Sequence, residues 1–272
     1  MDKIDLHAIL RKRVPKKYSR WIPGVLISGL ERIVHQRELN EVLEYADPAT
    51  GSEFCDRVFE YFDLNVEVDG LDRLPDRPFV FASNHPLGGL DGMALIRELG
   101  HRYGDPHVKF LVNDMLMNIV PLRPVFLPVN KYGRQGRGAA TAIEDAMADR
   151  SQQILVFPAG LVSRLQPDGS IADLKWQKSF VQKAVEHRRD IVPVRFEGLN
   201  RRRFYRLAKW RKKSGLKFNI EQAFLPAELC AARGKNYKIK FLEPIPWQSL
   251  RDRIAAGESP AQIAQDLRKL SN

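Results

Sequence analysis

The chain has 272 residues, 44% of them hydrophobic and 28% charged, ordinary globular proportions that argue against a disordered or fibrous protein and leave length for one large domain or two small ones. Its two cysteines, Cys55 and Cys230, stand far apart and in no CxxC or Cys/His cluster, which speaks against a disulfide framework or a zinc finger and for a reducing compartment. Lys and Arg number 44 against 33 Asp and Glu, a formal net charge of +11, so the surface favours a polyanion: nucleic acid, an anionic membrane face or an acidic carrier protein.

Residues 1–63 read as a helical N-terminal extension. They open on MDKIDLHAILRKRVPKK, which lacks the apolar core of a secretory signal. Arg11 to Arg20 is rich in cations, holds no acid and runs into Trp21. Val25, Leu26, Leu30, Ile33 and Val34, then Leu39, Val42 and Leu43, recur at helical spacing, and Gly51 to Phe62 repeats the pattern. No window approaches the ~18 consecutive apolar residues of a membrane-spanning helix. The longest candidates, Trp21 to Leu30 and Phe110 to Leu122, are short or broken by Pro23, Asp114 and Pro121, so the chain is not expected to cross a bilayer by itself.

Residues 64–272 alternate. Short apolar runs at Phe79–Ala82, Val108–Val112, Val125–Val129, Ile154–Phe157 and Ile191–Phe196 predict buried strands. Amphipathic segments near Met93–Leu99, Ala139–Ala148, Phe180–His187 and Phe204–Lys213 predict helices between them. Further strands are expected near Phe218–Phe224 and Tyr237–Leu242, and a last helix after Ser259-Pro260, an N-cap followed by proline at the first helical position. Alternating strand and helix mean one α/β domain. Within it, Arg201 to Lys217 forms a second acid-free basic run, mixed with Phe204, Tyr205 and Trp210.

Chemistry concentrates where strands end. Ser83-Asn84-His85-Pro86-Leu87-Gly88-Gly89-Leu90-Asp91-Gly92 follows the run Phe79–Ala82, on the loop where α/β sheets place their sites. A histidine can take a proton from a hydroxyl near neutral pH, and works better when a carboxylate fixes its tautomer. Gly88 and Gly89 permit a tight reversal between His85 and Asp91. The bland alternative is that Asp91 only caps the next helix. There is no G-x-S-x-G elbow, so such a pair would activate the substrate's own nucleophile. A second loop, Asn130-Lys131-Tyr132-Gly133-Arg134-Gln135-Gly136-Arg137-Gly138, sets three cations among glycines before a helix and suits a phosphate or carboxylate. It is neither a G-x-G-x-x-G nor a P-loop. Phe157-Pro158-Ala159-Gly160 leaves another strand and reaches Arg164, and Ile191-Val192-Pro193-Val194 is a strand with an embedded proline, unusual in a sheet centre. His101, His107 and His187 fit no metal-ligand spacing.

Taken in order, SNHPLGGLDG, PVNKYG, FPAGLVSR and VPVRFEG resemble the glycerolipid (PlsC-like) acyltransferase family, and most closely its bacterial lysophospholipid-acyltransferase-like or "hemolysin-like" branch, over about residues 65–200. The resemblance implies a central mixed, largely parallel sheet flanked by helices. It implies catalysis by His85 and Asp91, and substrate binding by Asn84, Gly88, Gly89, Asn130, Lys131, Arg134, Phe157, Pro158, Gly160 and Arg164. Three departures stand out: five residues separate His85 from Asp91 where the family has four, Ala159 replaces the family's glutamate, and the arginine falls at 164 instead of just before the serine. Since that glutamate is associated with the acceptor, glycerol 3-phosphate is not a safe choice. A lyso-lipid or a hydroxylated acyl-amino-acid lipid of the ornithine- and glycine-lipid kind fits equally well.

The implied reaction is direct: His85 deprotonates an acceptor hydroxyl as it attacks the thioester of acyl carrier protein or coenzyme A, with no cofactor beyond that co-substrate and no metal. Amides around Gly160 or Gly88-Gly89 would face the oxyanion, and Lys131, Arg134 and Arg164 the acceptor's anionic head. The run Arg11–Arg20 with Trp21 would anchor the protein to an anionic membrane surface, on the cytoplasmic face of the cell membrane. Two alternatives stay open: N-acylation of an amino acid, and a non-enzymatic nucleic-acid-binding protein using Arg201–Lys217, although no helix-turn-helix, RRM or zinc module is recognisable.

Overall fold

In the computed structural model, which describes residues 4–5, 24–129, 137–215 and 219–272, Phe79 to Ser83 are buried without interruption, the signature of a strand covered on both faces. Strand β1 (Asn65–Asp69) is followed by β2 (Phe79–Ser83), β3 (Val108–Asn113), β4 (Phe126–Val129) and β5 (Gln153–Val156). A small antiparallel pair, β6 (Arg164–Leu165) and β7 (Ile171–Ala172), stands apart, and β8 (Asp190–Glu197) and β9 (Asn236–Phe241) complete the set. The main sheet has the order β1-β9-β8-β2-β5-β3-β4. Five neighbours from β8 to β4 run parallel, while β9 lies antiparallel to β8 and β1 parallel to β9. The expected mixed, largely parallel sheet is what the chain forms.

Alternation along β2 divides the interior in two. Phe79 and Phe81 face a core with α2 (Gln36–Ala46), α3 (Gly51–Tyr61) and α4 (Gly89–Tyr103). Val80 and Ala82 face a second core built by α6 (Ser179–Glu186), α9 (Trp247–Ala255) and α10 (Pro260–Ser271). The remaining helices are α1 (Gly24–Ile33), α5 (Arg137–Ala148), α7 (Arg202–Lys213) and α8 (Leu225–Cys230). Residues expected as an extension thus supply Val42, Ala46, Phe54, Cys55, Val58 and Phe59 to the sheet's own core. The run Arg11–Arg20 lies outside the described residues.

Two local patterns depart from expectation. In place of a strand near Phe218–Phe224, a 3-10 turn over Ile220–Phe224 runs into α8. Pro226 sits in the first turn of α8, where its fixed φ favours helix, and Glu221 is drawn inward by two arginines. Strand β1, sequence NVEVD, lies at the sheet edge and is nowhere fully buried, so it carries little apolar signal. Pro193 does stand in a central strand. Its carbonyl accepts from Leu242 N, on the β9 side but just past the end of β9, so the missing N–H interrupts no bond to β2.

Candidate active site

The loops after β2, β5 and β8 meet at the carboxyl edge of the parallel strands. Beyond Ser83, Asn84 continues β2 with its side chain: its Oδ1 accepts from Phe196 N at 2.7 Å and its Nδ2 donates to Phe196 O at 3.0 Å. The carboxamide stands in for a peptide group between β2 and β8. Both polar atoms of the Asn84 side chain are thereby engaged with β8, next to His85 in the chain.

His85 Nδ1 lies 3.1 Å from Asp91 Oδ2. The same oxygen accepts from Leu87 N at 2.8 Å and Gly88 N at 3.3 Å, and Oδ1 accepts from Gly92 N at 2.9 Å. Since every other partner of the buried Asp91 is a donor, the proton shared with the imidazole belongs to Nδ1 and the lone pair to Nε2. Asp91 sits in the first turn of α4, so it also satisfies amides at the helix start that have no intrahelical acceptor. Capping the helix and orienting His85 are two roles of one carboxylate.

The five residues between His85 and Asp91 are accommodated at Gly88, whose φ is +91°. The positive φ favours glycine, and a Cβ there would also press on both methyls of Leu225 at 2.9 Å. At Gly89 the opposite holds: among the described residues nothing lies within 4 Å of the place a methyl would take. The first turn of α4 opens to free space beside the imidazole loop, with the Gly89 and Leu90 amides lacking intrahelical acceptors.

Phe157, at the exit of β5, stacks on the His85 ring with centroids 4.0 Å apart and planes 20° apart, and is itself held edge-on by Phe110. Pro158 O accepts from Gln177 N at 3.0 Å. Gly160, at φ +63°, donates its amide to Phe157 O at 2.9 Å, which commits that N–H to the turn. Ala159 is buried in the second core. Asn130, Lys131 and Arg134 lie outside the described residues.

Arg164 points elsewhere than expected. Its Nη2 lies 2.8 Å from the fully buried Glu221, and its Nη1 donates to Val162 O at 2.6 Å. Arg211 closes on the same glutamate at 3.1 Å. Burial lowers the Arg164 pKa against the attraction of Glu221. Its guanidinium ties loop to loop, with an internal acid in place of an acceptor's head group.

Asp173 is the residue that the sequence did not signal. It is buried, accepts His85 N at 3.1 Å and Ser163 Oγ at 2.6 Å on one oxygen, and accepts Trp176 Nε1 at 2.8 Å on the other. Ser163 N in turn donates to His85 O at 2.8 Å. Burial raises the Asp173 pKa, opposed by hydrogen bonds from Ser163, Trp176 and the His85 amide. A lone aspartate three residues before a tryptophan has no recognisable pattern.

Two groups of metal-ligating side chains occur among the described residues, His35/Glu38/Cys230 and Glu144/Glu186/His187. Neither includes a member of the His85 cluster, and Lys183 already bridges Glu144 and Glu186. No helix among the described residues is long and apolar enough to cross a membrane.

A family model described as an acyltransferase matches residues 8–269. Two relatives named lyso-glycine lipid O-acyltransferase are 43% identical over 263 residues. The one from Bacteroides thetaiotaomicron aligns over 96% of this chain and 94% of its own. The one from Phocaeicola vulgatus aligns over 96% and 91%. Among solved structures, the 1-acyl-sn-glycerophosphate acyltransferase PlsC of Thermotoga maritima is similar at 18% identity and a TM-score of 0.45, over 96% of this chain and 93% of its own.

Proposed function

The chain belongs to the acyltransferase family, and from that premise we propose that it moves a fatty acyl group from an acyl thioester to the hydroxyl of a lyso-lipid built on an amino acid, glycine foremost. The observation that carries the reading is the 3.1 Å contact of His85 Nδ1 with a buried, acceptor-only Asp91. The names of the two relatives support the acceptor class.

In this reading Nε2 of His85 removes the acceptor's hydroxyl proton as that oxygen attacks the thioester carbonyl. Asp91 stabilises the imidazolium so formed. The carbonyl oxygen, becoming negative, is met by the amides of Gly89 and Leu90 at the positive end of α4. Collapse expels the thiolate, which takes the proton from His85, and the ester is complete. General-base assistance is worth about 10²–10⁴-fold, so orientation and the helix start supply the rest. Lys131 and Arg134 are the cations assigned to the acceptor's carboxylate, now that Arg164 is paired internally. The acceptor lives in a membrane, and the cationic segment Arg11–Arg20 would hold the enzyme on an anionic bilayer face as a peripheral protein.

Lipid mass spectrometry of cells lacking the gene, or carrying His85→Ala, tests this directly. Both should accumulate an amino-acid lipid one acyl chain short. Full rescue of the deletion by the His85→Ala gene would overturn the assignment, and purified protein that acylates an amine in preference to a hydroxyl would move it to N-acylation.

A further inference from the structure

Helix α7 carries a charge pattern for which the transfer chemistry has no use. Its buried face is Phe204, Tyr205 and Ala208. Three arginines are tied down: Arg201, at the helix start, and the exposed Arg203 lie 3.1 and 3.2 Å from Glu228, and Arg211 lies 3.1 Å from Glu221. Both glutamates are buried, so these ion pairs fix the helix to the elements that carry them. Outside remain Arg202, Arg206, Lys209, Lys212 and Lys213, all exposed and none in an ion pair among the described residues. At 3.6 residues per turn, Arg202, Arg206, Lys209 and Lys213 fall on one stripe about 60° wide and about 17 Å long. Trp210, 57% exposed, flanks it.

The buried side of α7 is joined to the catalytic loop. Asn200 Nδ2 donates to Pro86 O at 3.1 Å, and Asn200 N donates to Tyr205 Oη, within α7, at 3.0 Å. Pro86 is the neighbour of His85, so the helix that carries the stripe is tied through its buried face to the loop of the reacting imidazole.

Building on the transfer reading above, we infer that α7 is the docking face of an acidic protein that carries the acyl chain as a thioester, and therefore that the donor is protein-borne. Insertion into a lipid surface calls for an outward apolar stripe, and the apolar stripe of α7 is turned inward, so charge alone would hold this helix on a membrane. A rigid row of unpaired cations flanked by one aromatic instead matches a folded acidic surface. Charge steers and orients the partner, and the indole anchors it.

The test uses the full chain with Arg202→Glu, Arg206→Glu and Lys209→Glu combined, its fold checked by thermal melting. Donors are one acyl chain on acyl carrier protein and the same chain on a short pantetheine thioester. The ratio of kcat/KM values, carrier over pantetheine, should fall at least tenfold, and the difference should shrink at high salt. Arg206→Lys with Lys209→Arg should keep the ratio. Should the triple reversal fail to fold, Arg206→Gln with Lys209→Gln is expected to lower it about threefold. Binding of the carrier, followed by fluorescence anisotropy without turnover, should weaken in parallel. An unchanged ratio overturns the inference. So does loss of binding to phosphatidylglycerol vesicles with carrier affinity intact, which would assign α7 to the membrane. A wild-type protein that turns over neither donor refutes the transfer reading, while the anisotropy result still decides the docking face.

Discussion

Asp91→Asn removes one charge at the centre of the site and leaves the shape. Four N–H groups converge on the native carboxylate, three on Oδ2 and one on Oδ1. An asparagine that seats its oxygen in the Oδ2 position keeps the three and sets its amide against Gly92 N–H. Losing that buried bond costs about 1–3 kcal/mol, a fall in Tm of about 2–4 °C per kcal/mol for a chain of this size. Seated the other way, the amide donates to His85 Nδ1 and forces the proton onto Nε2, which destroys the base. In either orientation the imidazolium loses its counter-charge. The expected drop in kcat is about 10²–10⁴-fold, or about 2.7–5.4 kcal/mol at 1.36 kcal/mol per tenfold. Thiol release from an acyl thioester in the presence of lyso-glycine lipid, measured beside a melting curve, separates the two effects. A folded variant turning over within threefold of wild type would refute the role given to Asp91.

Gly88→Ala should destabilise by about 1–3 kcal/mol, the strain of a positive-φ alanine driven against Leu225, with activity lost alongside; urea unfolding and turnover on the same sample check both. Glu221→Gln strands Arg164 and Arg211 beside a neutral group and should cost about 3–5 kcal/mol, seen as an earlier denaturation midpoint, whereas an unchanged midpoint with a raised acceptor KM would return Arg164 to the substrate. The Asp173 pKa is raised in the folded state, so its protonated form stabilises the fold at low pH. That contribution should fade as pH climbs from the ordinary aspartate value of about 3.9 through the raised one. Asp173→Asn should remove the effect, and chemical denaturation at a series of pH values reads the converging or diverging curves.

The central strands were legible because they are buried on both faces and read as unbroken apolar runs, Phe79–Ala82 being the clearest. The pairing of His85 with Asp91 was legible too, since a strand exit, a double glycine and a short loop leave the two groups few other places to go. Charge was less transparent. Arg201 to Lys217 holds no acid, yet Arg201, Arg203 and Arg211 are neutralised by Glu228 and Glu221, which follow the run in sequence and reach back in space. The pairing of Arg164 is hidden for the same reason, its partner lying 57 residues away. Asp173 supports His85 through a backbone amide, and contacts to the main chain leave no mark on residue type. Strand β1 is half-exposed at an edge, where polar residues serve as well as apolar ones.

The most direct trial is ester formation by the purified protein, given an acyl thioester and lyso-glycine lipid, beside His85→Gln. Ester should accumulate with the wild type and fall at least about 10²-fold with the variant, while both bind the acceptor alike. A glutamine variant that forms ester at the wild-type rate would contradict the account at its root.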